Sequence, residues 1–225
     1  MTKQATIVLL TISLMLGGNK MPTWTSIVTN QNPWDPNDYR TDQRAHDNAE
    51  IAWNYFRSQG FTEEATAGVL GNLTVESYMN PGQIGHNYSI SDPYSPKGLM
   101  MWTTSSIIDI LYSYASEHNK NWYDGDLQCM FIAENRVYPG FANGCIFYPR
   151  NGYNYTYDQF KQLTDINECV HAFCWEAEAP GTPHMNNRES AAAYWFTEFT
   201  GHQPGQTLPL WMMGRENIRR NIILA

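Results

Sequence analysis

The sequence predicts a mostly helical domain with one glycine-rich lobe inserted after its second helix. Apolar residues recur at helical spacing in successive segments between Ala49 and Phe199, and Gly60, Pro81, Pro180 and Gly201 punctuate them. Between Pro81 and Trp102 that period is lost, and Gly, Ser, Tyr, Asp and Pro dominate.

The elements follow in order. Ala49, Ala52, Trp53 and Phe56 share one helical face, and Gly60 closes that helix where a left-handed cap is expected. Thr62 caps a second helix, with Glu63 and Glu64 at its positive end, that runs through Glu76. Thr104 to Ser106 offer N-caps for a helix carrying Ile107, Leu111 and Tyr114. Leu127, Met130, Phe131 and Glu134 mark the next one, and a Pro, Gly, Asn and Tyr region from Pro139 to Tyr155 forms a long connection. Thr156 and Gln159 make a capping box for a helix carrying Ile166, Val170, Phe173 and Ala177, which stops before Pro180. Ala192, Trp195, Phe196 and Phe199 mark a helix ending at Gly201, and Leu210 to Leu224 suit a last one.

The chain divides into an apolar segment (1–20), an extended linker (21–44), a helical domain (45–203) and a C-terminal extension (204–225). Lys3 precedes an apolar or hydroxylic run over 5–16 that is too short for a membrane span. Two readings of it stand: an export or membrane-contacting anchor, and an arm that packs in an assembly. Lys and Arg total 14 against 22 acids, a net charge of −8, with no basic run before Arg219-Arg220. Nucleic acid is therefore not an expected partner. Cys129, Cys145, Cys169 and Cys174 match no strong metal spacing. Buried thiols are the expected state, with a Cys145 bridge as the alternative.

The site candidate is Glu76, which ends the segment Gly71-Asn72-Leu73-Thr74-Val75-Glu76-Ser77 just before Asn80-Pro81. A helical period back from it lie Leu73, Asn72 and Val69, so the acid is expected to have an apolar flank and a wet front. Such a flank favours the protonated carboxyl that a general acid needs. Gly68 and Gly71 each cost about 1 kcal/mol of helix propensity relative to Ala, which points to close helix approach. Glu134 also ends an apolar stripe, and is expected as a buried acid satisfied by backbone donors or a Lys or Arg partner.

Over residues 48–201 these motifs resemble the phage tail lysozyme family. The resemblance rests on Gly60, Gly71-Asn72, Glu76-Ser77 and Asn80-Pro81, then on Gly98-Leu99-Met100-Met101-Trp102-Thr103, with Met101 where the family has Gln. Gln128 to Glu134, Phe173, Glu178-Ala179-Pro180 and Arg188 continue the pattern. It implies a lysozyme-like α+β fold that cleaves the glycan strands of peptidoglycan. It also implies residence in a virion tail, beside other tail proteins, or export to the host cell envelope at lysis. No cofactor and no metal are implied.

Under this resemblance Glu76 is the general acid and Asp92, the only acid between Glu76 and Trp102, the second carboxylate. Asp92-Pro93 equally fits a turn-initiating pair. Glu134 and Glu178 are fallback second acids, and Asn80, Tyr94, Trp102 and Thr103 are expected to contact glycan. Met101, a weak acceptor, replaces an amide able to bond a sugar. A lytic transglycosylase using the same acid needs no second carboxylate, because the substrate's own hydroxyl attacks. A non-catalytic structural or wall-binding component of a tail is the binding alternative, and a zinc peptidase or amidase is the metal alternative, although none of the six histidines forms His-Glu-x-x-His.

Overall fold

A computed structural model describes residues 22–34, 38–138, 144–149 and 152–205. The apolar run over 5–16, Arg219-Arg220 and the helix expected over 210–224 lie outside the described residues.

Among the described residues the chain forms seven α-helices and one π turn. They are α1 Gln43–Ser58, α2 Glu63–Ser77, α3 Ser105–Glu117, α4 Gly125–Glu134, α5 Tyr157–Lys161, α6 Ile166–Phe173 and α7 Met185–Thr200. The π turn, Cys174–Glu178, continues α6. The capping signals act as their chemistry dictates. Thr62 accepts from the Ala65 N–H, Thr156 and Gln159 form the reciprocal capping box, and Gly201 closes α7 at φ 76°.

One expected helix is divided. The capping box starts only the short α5, and the stripe from Ile166 to Phe173 belongs to α6, which Asp165 caps anew by accepting from the Glu168 N–H. The chain leaves helical geometry after Lys161, and the link Gln162-Leu163-Thr164 separates the two helices before Asp165 caps the second.

The core is built around α2, which packs against α1, α6 and α7. All its residues from Ala65 to Thr74 are buried, including Gly68 and Gly71. The close approach expected from these glycines is present. A Cβ on Gly68 would lie 2.6 Å from the Cys169 Cβ of α6, and one on Gly71 would lie 2.6 Å from the Arg188 carbonyl oxygen and 2.7 Å from the Ala192 Cβ of α7. Because part of what Gly71 meets is backbone, Gly71→Ala should destabilise the fold by about 1–3 kcal/mol in denaturant unfolding, despite an Ala propensity gain of about 1 kcal/mol. An unchanged midpoint would show that α7 can shift without cost.

The segment between α2 and α3, expected as an inserted lobe, contains isolated bridges, Ile84 with Lys97 and Lys97 with Trp102, and no longer strand pairing among the described residues. Gln128 of α4 organises it from below. Its amide oxygen accepts from the Leu99 N–H at 2.7 Å, while its nitrogen donates to the carbonyls of Pro81 (2.8 Å) and Trp122 (2.7 Å). Residues 22–34 carry almost no regular secondary structure and strap the domain, and α1 already begins at Gln43, inside the span expected as linker. Asn48 holds both backbone groups of Thr25, Asn80 holds both of Ile27, and Thr29 bridges Gln83.

Cys129, Cys169 and Cys174 are buried free thiols and Cys145 is a half-buried one. No helix among the described residues is long and apolar enough to cross a membrane.

Candidate active site

The last turn of α2 delivers Glu76 to the edge of a cleft of about 400 Å³. Its floor and walls include Met100, Met101, Trp102 and Thr103 from the lobe, Ile107 from α3, Ile146 and Tyr148, Ala177 and Glu178 from the end of the π turn, and Ala179 to Gly181 after it. Glu76 and Glu178 are the acids among these lining residues.

Two of the residues that line this cleft, Met101 and Ala179, have left-handed backbone, as do the two that follow α2. Tyr78 and Met79 follow α2 in left-handed conformation at φ 56° and 62°, Met101 sits at 49° and Ala179 at 48°. Each such residue without a glycine costs on the order of 1–2 kcal/mol, and clusters of them mark sites where geometry matters more than local ease. The π turn has the same character. Its extra residue closes through an Ala179 N–H to Cys174 carbonyl bond of 2.7 Å and leaves Glu178 pointing inward.

The two acids meet on one cation. Arg188 in the first turn of α7 is 1% exposed, and its guanidinium donates to Glu76 and to Glu178 while also donating to the Asn72 amide oxygen at 2.7 Å and the Pro183 carbonyl at 2.6 Å. Asn72 is itself fixed by donating to the Gly68 carbonyl at 2.8 Å and the Val170 carbonyl at 3.0 Å. Asn72 and Glu76 stand one turn apart on α2, so both present oxygen to the same guanidinium. The apolar flank expected for Glu76 is thus replaced at the carboxylate by a buried ion pair.

The acids differ in exposure: the Glu76 side chain is 18% exposed and that of Glu178 only 3%. Burial and the neighbouring Glu76 carboxylate push Glu178 well above its ordinary value of 4.5, against the opposing pull of Arg188.

The other expected site residues fall into two groups. Trp102 and Thr103 line the cleft with Glu76 and Glu178. Trp102 is 93% buried by its 7% exposure and meets Phe131 edge to face at 5.4 Å, so it forms wall instead of an open stacking platform. Asp92, Tyr94, Asn80 and Glu134 are not among the lining residues. Asp92 is exposed and accepts from the Tyr94 N–H at 2.9 Å, the turn role its Asp-Pro context allows. Tyr94 is an exposed loop residue, and Asn80 is buried holding Ile27. Glu134, expected to be buried, is exposed at the end of α4, where it pairs with Arg136 at 2.6 Å and accepts from the Tyr114 hydroxyl at 2.8 Å.

Arg188 as the bridge between two acids, and the wall residues Ile146 and Tyr148, were not expected from sequence. The 112-residue separation between Glu76 and Arg188 leaves no periodic trace. Among the described residues no group of three His, Cys, Asp or Glu side chains is placed to hold a metal ion.

Residues 47–199 match the model of a family described as phage tail lysozyme. The chain is also similar to "Morphogenesis protein 1" of Bacillus phage B103, at 30% identity over 155 residues that make up 68% of this chain and 40% of the relative. It therefore spans about two fifths of that relative's length.

Proposed function

We propose, from the premise that the chain belongs to the phage tail lysozyme family, that it cleaves the glycan strands of peptidoglycan, with Glu76 delivering the proton to the glycosidic oxygen. The observation that carries this proposal is the position of Glu76. It is the more exposed of two acids that share a buried guanidinium at the edge of a cleft. A donor so placed reaches a bound sugar without giving up its anchor on the scaffold. The family and the phage relative support a virion tail as its place of action.

One observation favours the lytic transglycosylase form of this reaction over hydrolysis by paired carboxylates. Retaining and inverting hydrolases separate their acids by about 5–5.5 Å and 6.5–9.5 Å, on opposite faces of the scissile bond. Here Glu178 lies within hydrogen-bonding reach of Glu76 and is bound to the same Arg188, so the two acids sit on one side. No other acid is found among the cleft's described lining residues. A hydroxyl of the substrate itself then closes on the sugar carbon once the bond is polarised.

Cleavage of purified glycan strands, with mass spectrometry of the product ends, tests both levels. Products carrying an internal anhydro ring are expected. Reducing ends bearing added water would show hydrolysis, and intact strands would overturn the cleavage proposal. Asp92→Asn keeps an oxygen to accept from the Tyr94 N–H, so its rate should stay within about twofold of the parent. A tenfold or greater loss would return Asp92 to the site.

A further inference from the structure

We propose that Glu178 and Glu76 hold a single shared proton against Arg188, and that Glu178 is the reservoir from which Glu76 is loaded before it protonates the glycosidic oxygen. This rests on the cleavage reading given above.

Charge counting comes first. Two ionised carboxylates and one guanidinium leave a net negative charge among side chains that are 1%, 3% and 18% exposed, and one bound proton removes it. The hydrogen bonds say where that proton rests. Four of the five N–H groups of Arg188 go to Glu76 Oε1, Glu178 Oε2, the Asn72 amide oxygen and the Pro183 carbonyl. The second oxygen of Glu178, Oε1, is buried and meets no donor. As part of a carboxylate it would be a charged acceptor left without a partner. As the hydroxyl of a carboxylic acid it becomes a donor, and the carboxylate beside it on the same guanidinium is Glu76. The upward push on Glu178 from burial and from Glu76 agrees with this placement.

No other titratable group facing the pair takes the proton's place. On the π turn the Cys174 thiol is pushed up to about 12 by burial and stays neutral. Glu176 of that turn faces away and accepts from the Tyr155 N–H at 3.1 Å. Glu189 of α7 bonds His171 at 2.6 Å on another face. From α3 and the lobe the cleft receives Ile107, Met100, Met101, Trp102 and Thr103, and from the opposite wall Tyr148.

The step balances simply. The Glu178 O–H breaks as an O–H forms on Glu76, and that bond breaks in turn as the proton joins the glycosidic oxygen. The sugar carbon–oxygen bond then cleaves with its electron pair left on that oxygen. Both carboxylates are now ionised beside the positive sugar ring, which their net charge stabilises. The attacking hydroxyl returns a proton to Glu76, and the pair recovers its resting state.

Glu178→Gln preserves shape and the bond from Arg188 but has no proton to lend. At pH 7 its glycan-cleavage rate should fall about 10- to 100-fold, and the alkaline limb of the pH–rate profile should move about one to two units toward acid, since each unit lowers the protonated fraction tenfold. A purely structural role would lower the rate without moving that limb, and would overturn the proposal, as would an unchanged rate. A second readout uses the parent protein without substrate. Its infrared spectrum at pH 7 should contain the carbonyl stretch of a buried protonated carboxyl, absent from Glu178→Gln. Absence of the band from the parent overturns the shared proton. A parent that shows the band yet leaves glycan intact would overturn the cleavage reading alone.

Discussion

Glu76→Gln should reduce glycan cleavage by at least about 10³-fold, equivalent to about 4 kcal/mol of lost transition-state stabilisation. The fold should be nearly untouched. A Gln side chain still accepts from Arg188 through its amide oxygen, and it relieves Glu178 of a neighbouring like charge, leaving one acid against one cation. The melting temperature is therefore expected within a few degrees of the parent, and the rate of dye release from labelled peptidoglycan is the measurement that matters. Binding to cell walls should survive, because the cleft walls formed by Met100, Met101, Trp102 and Tyr148 are unaltered. A variant that folds, binds and still cleaves at the parental rate would remove Glu76 from the mechanism. A variant that cleaves nothing yet binds would also dispose of the alternative in which the domain is only a wall-binding component.

Much of this arrangement was legible in the chain because it is written in local signals. Thr62, Thr156 and Gly201 announce helix ends through capping chemistry that involves neighbours within a few residues. Gly68 and Gly71 announced close packing because glycine inside a helix is costly unless something needs the space. Glu76 stood out by ending such a helix. What was hidden is long-range. Nothing local to Asn72 or Glu76 says that a guanidinium 112 residues later will lie between them. Nothing in Glu178-Ala179-Pro180 says that a π turn will rotate the first of these inward. Asp92 drew attention because it was the sole acid in the loop, and proximity in sequence to the cleft is not proximity in space. Glu134 was misplaced for a related reason. An apolar stripe fixes which face a residue shares, while exposure at the final turn depends on what covers that end, and here the carboxylate lies at the surface beside Arg136 while accepting from the buried Tyr114 hydroxyl.

Arg188→Met should carry the largest stability penalty of any single change at the site. Removing the guanidinium leaves Glu178, 3% exposed, and Glu76 facing one another without a cation, and strips the Asn72 and Pro183 oxygens of their donor. Breaking a buried charge network from one side costs about 3–5 kcal/mol, because the remaining charge keeps its desolvation penalty. Arg188→Lys should rescue little, since one ammonium with three donors cannot reach four acceptors spread around a planar fork. The pH dependence gives the effect a signature. Without Arg188 the pull that opposed the raised Glu178 value is gone, so the folded protein holds protons that the unfolded chain has already released. Stability is then fully present below about pH 4.5 and is lost as pH rises, at about 1.4 kcal/mol per unit for each proton so retained. Urea unfolding of Arg188→Met at pH 4.5 and pH 7.5 should therefore show a deficit that widens toward the higher pH. Adding Glu178→Gln should recover a large part of that deficit, because the buried site then holds one ionisable group instead of two. A penalty that is independent of pH and simply adds in the double variant would mean that Arg188 acts by packing, and that the two acids do not sense each other through it.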